Sequence, residues 1–240
     1  MAAFSASFRA SRQGCAIALA CCLAGPTALA QIGPKRAEPA TLKANAEVLQ
    51  TLPFADRQDF DDAMRGFVGT TPDALVPGTG PRPVWTMKPY DFLKASEAAD
   101  SVNPSLWRQA QLNAIHGLFK VTERVYQVRG FDISNMTIVE GDTALIVIDP
   151  LLAAETARAG LDLYYQHRPR KAVGTVIYSH GHADHFGGVK GVIDEADVAA
   201  GKVRVLAPSG FMETAVAENI VAGNAMSRRA QYQFGALLPP

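Results

Sequence analysis

The sequence predicts an α/β layered domain preceded by a helical and irregular extension. Two observations point there. From residue 119 onward, apolar strand-like runs alternate with helical patterns after an opening hairpin. Before that point, short helical patterns are separated by stretches rich in Pro and Gly. The chain has 240 residues, 48% of them hydrophobic and 19% charged, which suffices for a sizeable core in one or two domains. Its formal charge of zero lacks the basic footprint of a nucleic-acid binder, and no such partner is expected.

Residues 1–30 read as an export signal. Arg9 and Arg12 precede the apolar run "CAIALACCLAG", and the small residues "ALA" stand just before Gln31. The run is shorter than the roughly 20 residues of a membrane-spanning helix, so no span is expected after its removal. The expected location is periplasmic or secreted. Cys15, Cys21 and Cys22 all lie in this segment, leaving no disulfide and no thiolate ligand beyond it. Any metal site must then use histidine and carboxylates. Without Arg9 and Arg12 the chain carries 21 basic and 23 acidic residues, which makes it slightly acidic.

Residues 31–115 form the extension. A Pro-containing linker leads to a helix around "TLKANAEVLQTL", then to "DRQDFDDAMRGFVG", with Asp56 as N-cap and Gly69 near the stop. "TTPDALVPGTGPRPVW" is loop, and "NPSLWRQAQLNAIHGLF" is a further helix with Trp107, Leu112 and Ile115 on one buried face. Residues 116–240 form the layered domain. "KVTERVYQVRG" and "NMTIVEG" are strands, and "EGD" turns into "TALIVIDP", a continuously apolar strand expected to be buried on both faces. A helix over residues 153–167 leads to the strand "AVGTVIYS". Beyond it come a short helix over 189–193, the strand "KVRVLAP" and a helix over 211–221.

The chemistry lies in "YSHGHADHFGG". Three of five histidines and an aspartate fall within six positions, as His180, His182, Asp184 and His185. Imidazole nitrogen and carboxylate oxygen are zinc donors, and also suit iron or manganese. The His-x-His alternation lets two rings leave the chain on one side, while Asp184 and His185 reach a neighbouring position. Donors this close suit two adjacent metals better than one closed tetrahedral site. Gly187 and Gly188 permit close backbone approach behind them. Asp149, before Pro150, either hydrogen-bonds this loop or simply forms a turn. In "NAMSRRAQYQFG", the residues Met226, Arg228, Tyr232 and Phe234 either line an alkyl-chain channel or serve as core packing and surface charge.

"HGHADH" after an apolar strand resembles the metallo-β-lactamase superfamily. "LPFADRQDFDDAMRGFVG", "SVNPSLWRQAQLNAIHGLFKV", "VYQVRGFDISNMTIVEGDTALIVIDPL" and "AENIVAGNAMSRRAQYQFGALLP" resemble its alkylsulfatase branch, the dodecyl-sulfate hydrolases, across most of residues 50–240. The resemblance implies an αββα sandwich and hydrolysis of alkyl sulfate esters to alcohol and inorganic sulfate. It implies two zinc ions, the first on His180 and His182, the second on Asp184 and His185, with a metal-bound water as nucleophile. It also implies a homodimer for the full-length family.

The family completes this site with two glutamates and a further histidine downstream, whereas the 55 residues after His185 contain no histidine. The expectation is the N-terminal part of a longer enzyme, with the sandwich incomplete at its C-terminal side. A solvated or capping role is expected for Glu213 and Glu218, and no ligand role for His116 or His167. Two other readings stand beside the sulfatase. One is a non-catalytic zinc-binding fragment; the other is a different hydrolase on the same scaffold, such as a lactamase or thioesterase.

Overall fold

The computed structural model describes residues 36–234 and residue 237. The export signal expected over residues 1–30 lies outside them. Residues from Ala37 onward cluster as one compact unit.

Three helices open it: α1 (Pro39–Thr51), α2 (Gln58–Met64) and α3 (Pro104–Asn113). Helix α3 starts where expected, with Asn103 Oδ1 accepting the Ser105 N–H (2.9 Å) and Pro104 in the first turn. Asp56 does accept the Gln58 N–H at 2.9 Å, but α2 stops at Met64, well before Gly69. The reason is Gly66, at φ +74°, where a Cβ would collide with Lys120 O. That turn releases Phe67–Gly69 as a strand, β1, which the sequence reading had placed in the helix. Arg108 on α3 ties α2 down through Asp59 (Nε to Oδ2, 2.8 Å), and this hydrogen bond holds the Asp59 carboxyl below its ordinary range.

Seven strands form one open sheet in sequential order: β1, β2 (Gly117–Thr122), β3 (Val125–Arg129), β4 (Met136–Glu140), β5 (Leu145–Ile148), β6 (Val173–Ile177) and β7 (Arg204–Leu206). The first five are antiparallel, whereas β5, β6 and β7 run parallel. The crossover from β5 to β6 is helix α4 (Ala154–His167).

Register decides which face α4 covers. Val128 pairs with Met136, Ile138 with Val147, and Val147 with Val176, so these side chains share a face, and all are buried. Gly160 on α4 lets the helix approach that face, because a Cβ there would stand 2.9 Å from Met136 Cε. Burying residues such as Met136, Ile138 and Val147 contributes about 1.5–3 kcal/mol each. The other face is less covered. Ile146 and Ile148 are half-buried, so β5 is not buried on both faces as its apolar run suggested. Leu206 beside them is exposed. The result is a mixed α/β layering with an unclosed sheet, preceded by a helical and irregular region.

Glu140 locks the far end of this layer. It accepts from Tyr164 Oη (2.7 Å) and from Arg168 Nε and Nη2 (2.7 and 3.0 Å). The Arg168 hydrogen bond pulls the Glu140 carboxyl below its ordinary range, while burial pushes the Tyr164 phenol up and keeps it a neutral donor. The remaining helices are α5 (Glu195–Ala199), which the sequence reading did not contain, α6 (Phe211–Val216) and α7 (Gly223–Gln233). A π-helical turn, Ala217–Val221, joins α6 to α7.

Candidate metal centre

Parallel strands β5 and β6 end at the same edge, and each carries part of the site beyond its last residue. After β5 comes Asp149, at φ +54°, followed by buried Pro150 and by Leu151 at φ +62°. Two left-handed non-glycine residues so close together mark a turn held by its surroundings rather than by preference. After β6 come Tyr178, Ser179 and the histidine loop, in which Ala183–His185 form a 3-10 turn.

The holding groups are buried. Asp132, 7% exposed, accepts the N–H groups of Leu152 (3.1 Å) and Ala153 (3.4 Å) and the Thr156 hydroxyl (2.6 Å), and so caps the start of α4. Two residues on, the Ser134 hydroxyl donates to the Asp184 carbonyl. Gly188 lies so close beneath the β5 turn that a Cβ would overlap Pro150 O, and its N–H donates to Leu151 O at 2.9 Å.

Hydrogen-bond partners assign a proton to each imidazole. Ser179 donates its N–H to Asp149 Oδ1 (2.7 Å) and its hydroxyl to Asp149 Oδ2 (2.6 Å). With its only hydroxyl proton committed, Ser179 Oγ accepts from His180 Nδ1–H at 2.9 Å. His185 Nδ1–H donates to Asp149 Oδ2 at 2.9 Å. His182 Nε2–H faces Glu218 Oε2 at 2.8 Å. Each ring therefore has one nitrogen held by a protein partner outside the row of donors.

The other nitrogens face partners within the loop. His180 Nε2 and His182 Nδ1 face each other at 3.0 Å, and His185 Nε2 faces Asp184 Oδ2 at 3.2 Å. The first pair sets two ring nitrogens together, and the second sets a ring nitrogen against a carboxylate oxygen. Lone pairs at that separation repel unless a cation or an added proton lies near them. The rings of His180 and His185, with centroids 4.1 Å apart, bring the two pairs together.

The structure thus gathers His180, His182, Asp184 and His185, with Asp149 behind two of the rings. It brings Glu218 to them as well, where the sequence reading had expected a solvated or capping carboxylate. No local signal would have revealed this, since a lone glutamate on a helix reads as a solvated face. Met226 and Tyr232 lie exposed on α7 with Arg228, and exposed Phe234 follows it. Helix α7 buries no residue, so the four do not pack into the core, and among the described residues no hydrogen bond or ion pair joins them to the histidine loop. His116 lies just past α3, its Nδ1 at 2.7 Å from Thr70 Oγ1, and burial lowers its pKa. His167 ends α4. Neither approaches the loop by any hydrogen bond or ion pair among the described residues.

A family model of the metallo-β-lactamase superfamily matches residues 129–231, a span that contains the histidine loop and both strands that position it. Fold, loop and match together define a member of that superfamily. An alkyl/aryl-sulfatase of Saccharomyces cerevisiae is 62% identical over 206 residues, covering 86% of this chain and 32% of the yeast protein. An (R)-specific secondary-alkylsulfatase of Pseudomonas sp. is 57% identical over 222 residues, covering 92% of this chain and 33% of its own. The solved stereoselective inverting sec-alkylsulfatase from Pseudomonas sp. superposes with a TM-score of 0.80 at 59% identity, over 86% of this chain and 32% of that one. The chain belongs to the alkylsulfatase family, and it spans about a third of the length of the curated relatives it matches.

The donor types fit zinc: neutral imidazole nitrogens and a carboxylate, with outward hydrogen bonds fixing each ring. Their arrangement is one side of a centre. Among the described residues no group of three or more His, Cys, Asp or Glu is placed to hold an ion, and the donors come in pairs.

Proposed function

We propose that this chain carries one side of the zinc centre of an alkylsulfatase, which hydrolyses alkyl sulfate esters such as dodecyl sulfate to alcohol and inorganic sulfate as part of a longer protein. The observation that carries this reading is the convergence of four donor side chains in two close pairs, His180 Nε2 with His182 Nδ1 at 3.0 Å and His185 Nε2 with Asp184 Oδ2 at 3.2 Å. The printed activities of the yeast and Pseudomonas relatives support the substrate class.

In this reading His180 and His182 hold one ion and Asp184 and His185 a second. Zinc, when bound, supplies the Lewis acidity that activates water near neutral pH and offsets charge on the departing sulfate. The chain's own residues do the rest. Asp149 and Ser179 keep the His180 and His185 rings in one tautomer and one orientation, so no reorganisation is needed as charge develops. Water adds across the ester, giving the alcohol and hydrogen sulfate. Export to the periplasm or medium is proposed from Arg9, Arg12 and the apolar run that follows.

A second reading is favoured by the absence of any three-donor group among the described residues: a chain that binds zinc without turnover. Metal content and sulfate release, measured on the same purified chain, separate the two. Close to two zinc per chain with release from dodecyl sulfate supports catalysis by this chain. One zinc or none without release sinks it, and the sulfatase reading then rests on the longer protein alone. Nitrocefin turnover without sulfate release would instead favour a lactamase.

A further inference from the structure

We propose that Glu218 is a positioning residue for this centre: it holds His182 at Nε2 and so fixes the orientation of that ring in the histidine loop. The proposal rests on the zinc reading of the histidine loop and adds a residue to it.

Three contacts tie the α6 region to the loop, and they are independent of one another. Glu218 Oε2 stands 2.8 Å from His182 Nε2. Its neighbour Asn219 donates through Nδ2 to Gly181 O at 3.2 Å, and to Ala215 O at 2.8 Å. Gly181 itself is buried under α6, where an added Cβ would meet Thr214 Cγ2 at 3.1 Å and Ala215 N at 3.2 Å. The backbone between the two histidines is therefore clamped, and the second ring is held by a carboxylate from the same element.

The helix geometry makes this possible. Successive residues of an α-helix point about 100° apart, so Glu218 and Asn219 would not both be expected to serve one loop. Both belong to the π-helical turn Ala217–Val221, a wider turn of the kind found at functional sites. A carboxylate that accepts the outer N–H of a ligating histidine fixes its tautomer and raises its basicity toward the metal. His180 and His185 receive that service from Ser179 and Asp149, which arrive from the β5 and β6 ends. His182 receives it from the other side of the loop.

The test uses the 240-residue chain with Glu218→Ala, Glu218→Gln and, as a control on the adjoining helix α6, Glu213→Ala. Zinc affinity is read by competition with a chromophoric chelator. The His182 Nε2–H proton is read by NMR in metal-free protein, where a bonded proton exchanges slowly. Expected are a slowly exchanging Nε2–H in the parent and its loss in Glu218→Ala, with zinc affinity about 10–100-fold weaker. Glu218→Gln, whose amide oxygen accepts the same bond, restores most of both, and Glu213→Ala changes neither. A parent that protonates Nδ1 of His182, or a Glu218→Ala variant within twofold of the parent's zinc affinity, overturns the proposal. Sulfate release is not among these readouts, so a chain that passes them and never cleaves dodecyl sulfate counts against the sulfatase reading alone.

Discussion

Ser179 gives both of its protons to Asp149, one from the backbone to Oδ1 and one from the hydroxyl to Oδ2, at 2.7 and 2.6 Å. Because Oδ2 also takes the His185 Nδ1 proton, one carboxylate fixes two of the three rings, His185 directly and His180 through Ser179. The end of β5 thereby orients rings that follow β6.

Asp149→Asn tests this dependence. Asparagine tolerates the left-handed backbone at this position, so the turn should persist. Its amide offers one acceptor oxygen where three donors now converge on two. Zinc affinity of the chain should fall about 10–100-fold with little change in the urea midpoint. An affinity equal to the parent's would show that the rings are oriented without Asp149.

Asp132 holds the turn beneath the site rather than the rings. Truncation to Ala strands the N–H groups of Leu152 and Ala153, while the Thr156 hydroxyl keeps the Ala153 carbonyl as an acceptor at 2.9 Å. Each stranded donor costs about 1–3 kcal/mol, softened where the groups reach water. A loss of about 3 kcal/mol in urea unfolding is expected for Asp132→Ala, and Asp132→Asn should recover part of it. A loss under about 0.5 kcal/mol, the range of ordinary surface substitutions, contradicts the capping role.

Much of this was legible in the sequence, and the parts that were not share a cause. The histidine loop could be read because its donors lie within six positions, so spacing alone reports proximity. Strands β3 to β6 could be read because alternation and apolar runs are local, whereas residues 117–119 of β2 were taken into the preceding helix, which stops at Asn113. Strand β1 could not: three residues carry no periodicity, and only the Gly66 turn and its pairing with β2 reveal it. Glu218 and Ser134 lie 36 and 50 residues from the loop partners they contact, and nothing near either residue encodes the fold that closes those distances. The family resemblance gave the sandwich and the zinc expectation. It did not give the partners that orient the rings, Ser179, Asp149 and Glu218.

At the opposite end of the sheet, Glu140 predicts an acid-dependent stability. Its carboxyl is held below the ordinary range chiefly by the Arg168 hydrogen bond. A depressed folded value means that the unfolded chain binds the proton first. The stabilisation is therefore complete above the ordinary glutamate value of about 4.3 and is lost as pH falls below it, through the folded value. Parent Tm should drop on acidification in that window. Glu140→Gln should start lower at pH 7 and decline less steeply there. Parallel Tm curves would mean that another carboxylate governs the acid limb.

Two glycines separate steric need from conformational need. Gly188 has an ordinary φ of −82°, yet a Cβ there would overlap Pro150 O and stand 2.6 Å from Ala153 O. Backbone oxygens fixed by the β5 turn cannot move aside as a flexible side chain would. Gly201 is the converse, with φ +71° and nothing within 4 Å of a Cβ. Alanine at 201 should cost only the left-handed penalty of about 1–2 kcal/mol and leave zinc affinity unchanged. Alanine at 188 should cost about 1–3 kcal/mol through overpacking, and it should also weaken zinc binding, because relief requires the histidine loop to lift away from the Asp149 turn. Urea unfolding and chelator competition on both variants decide the matter. If Gly188→Ala lowers stability and leaves zinc affinity at the parent's level, the ligand loop does not depend on its seat against the β5 turn.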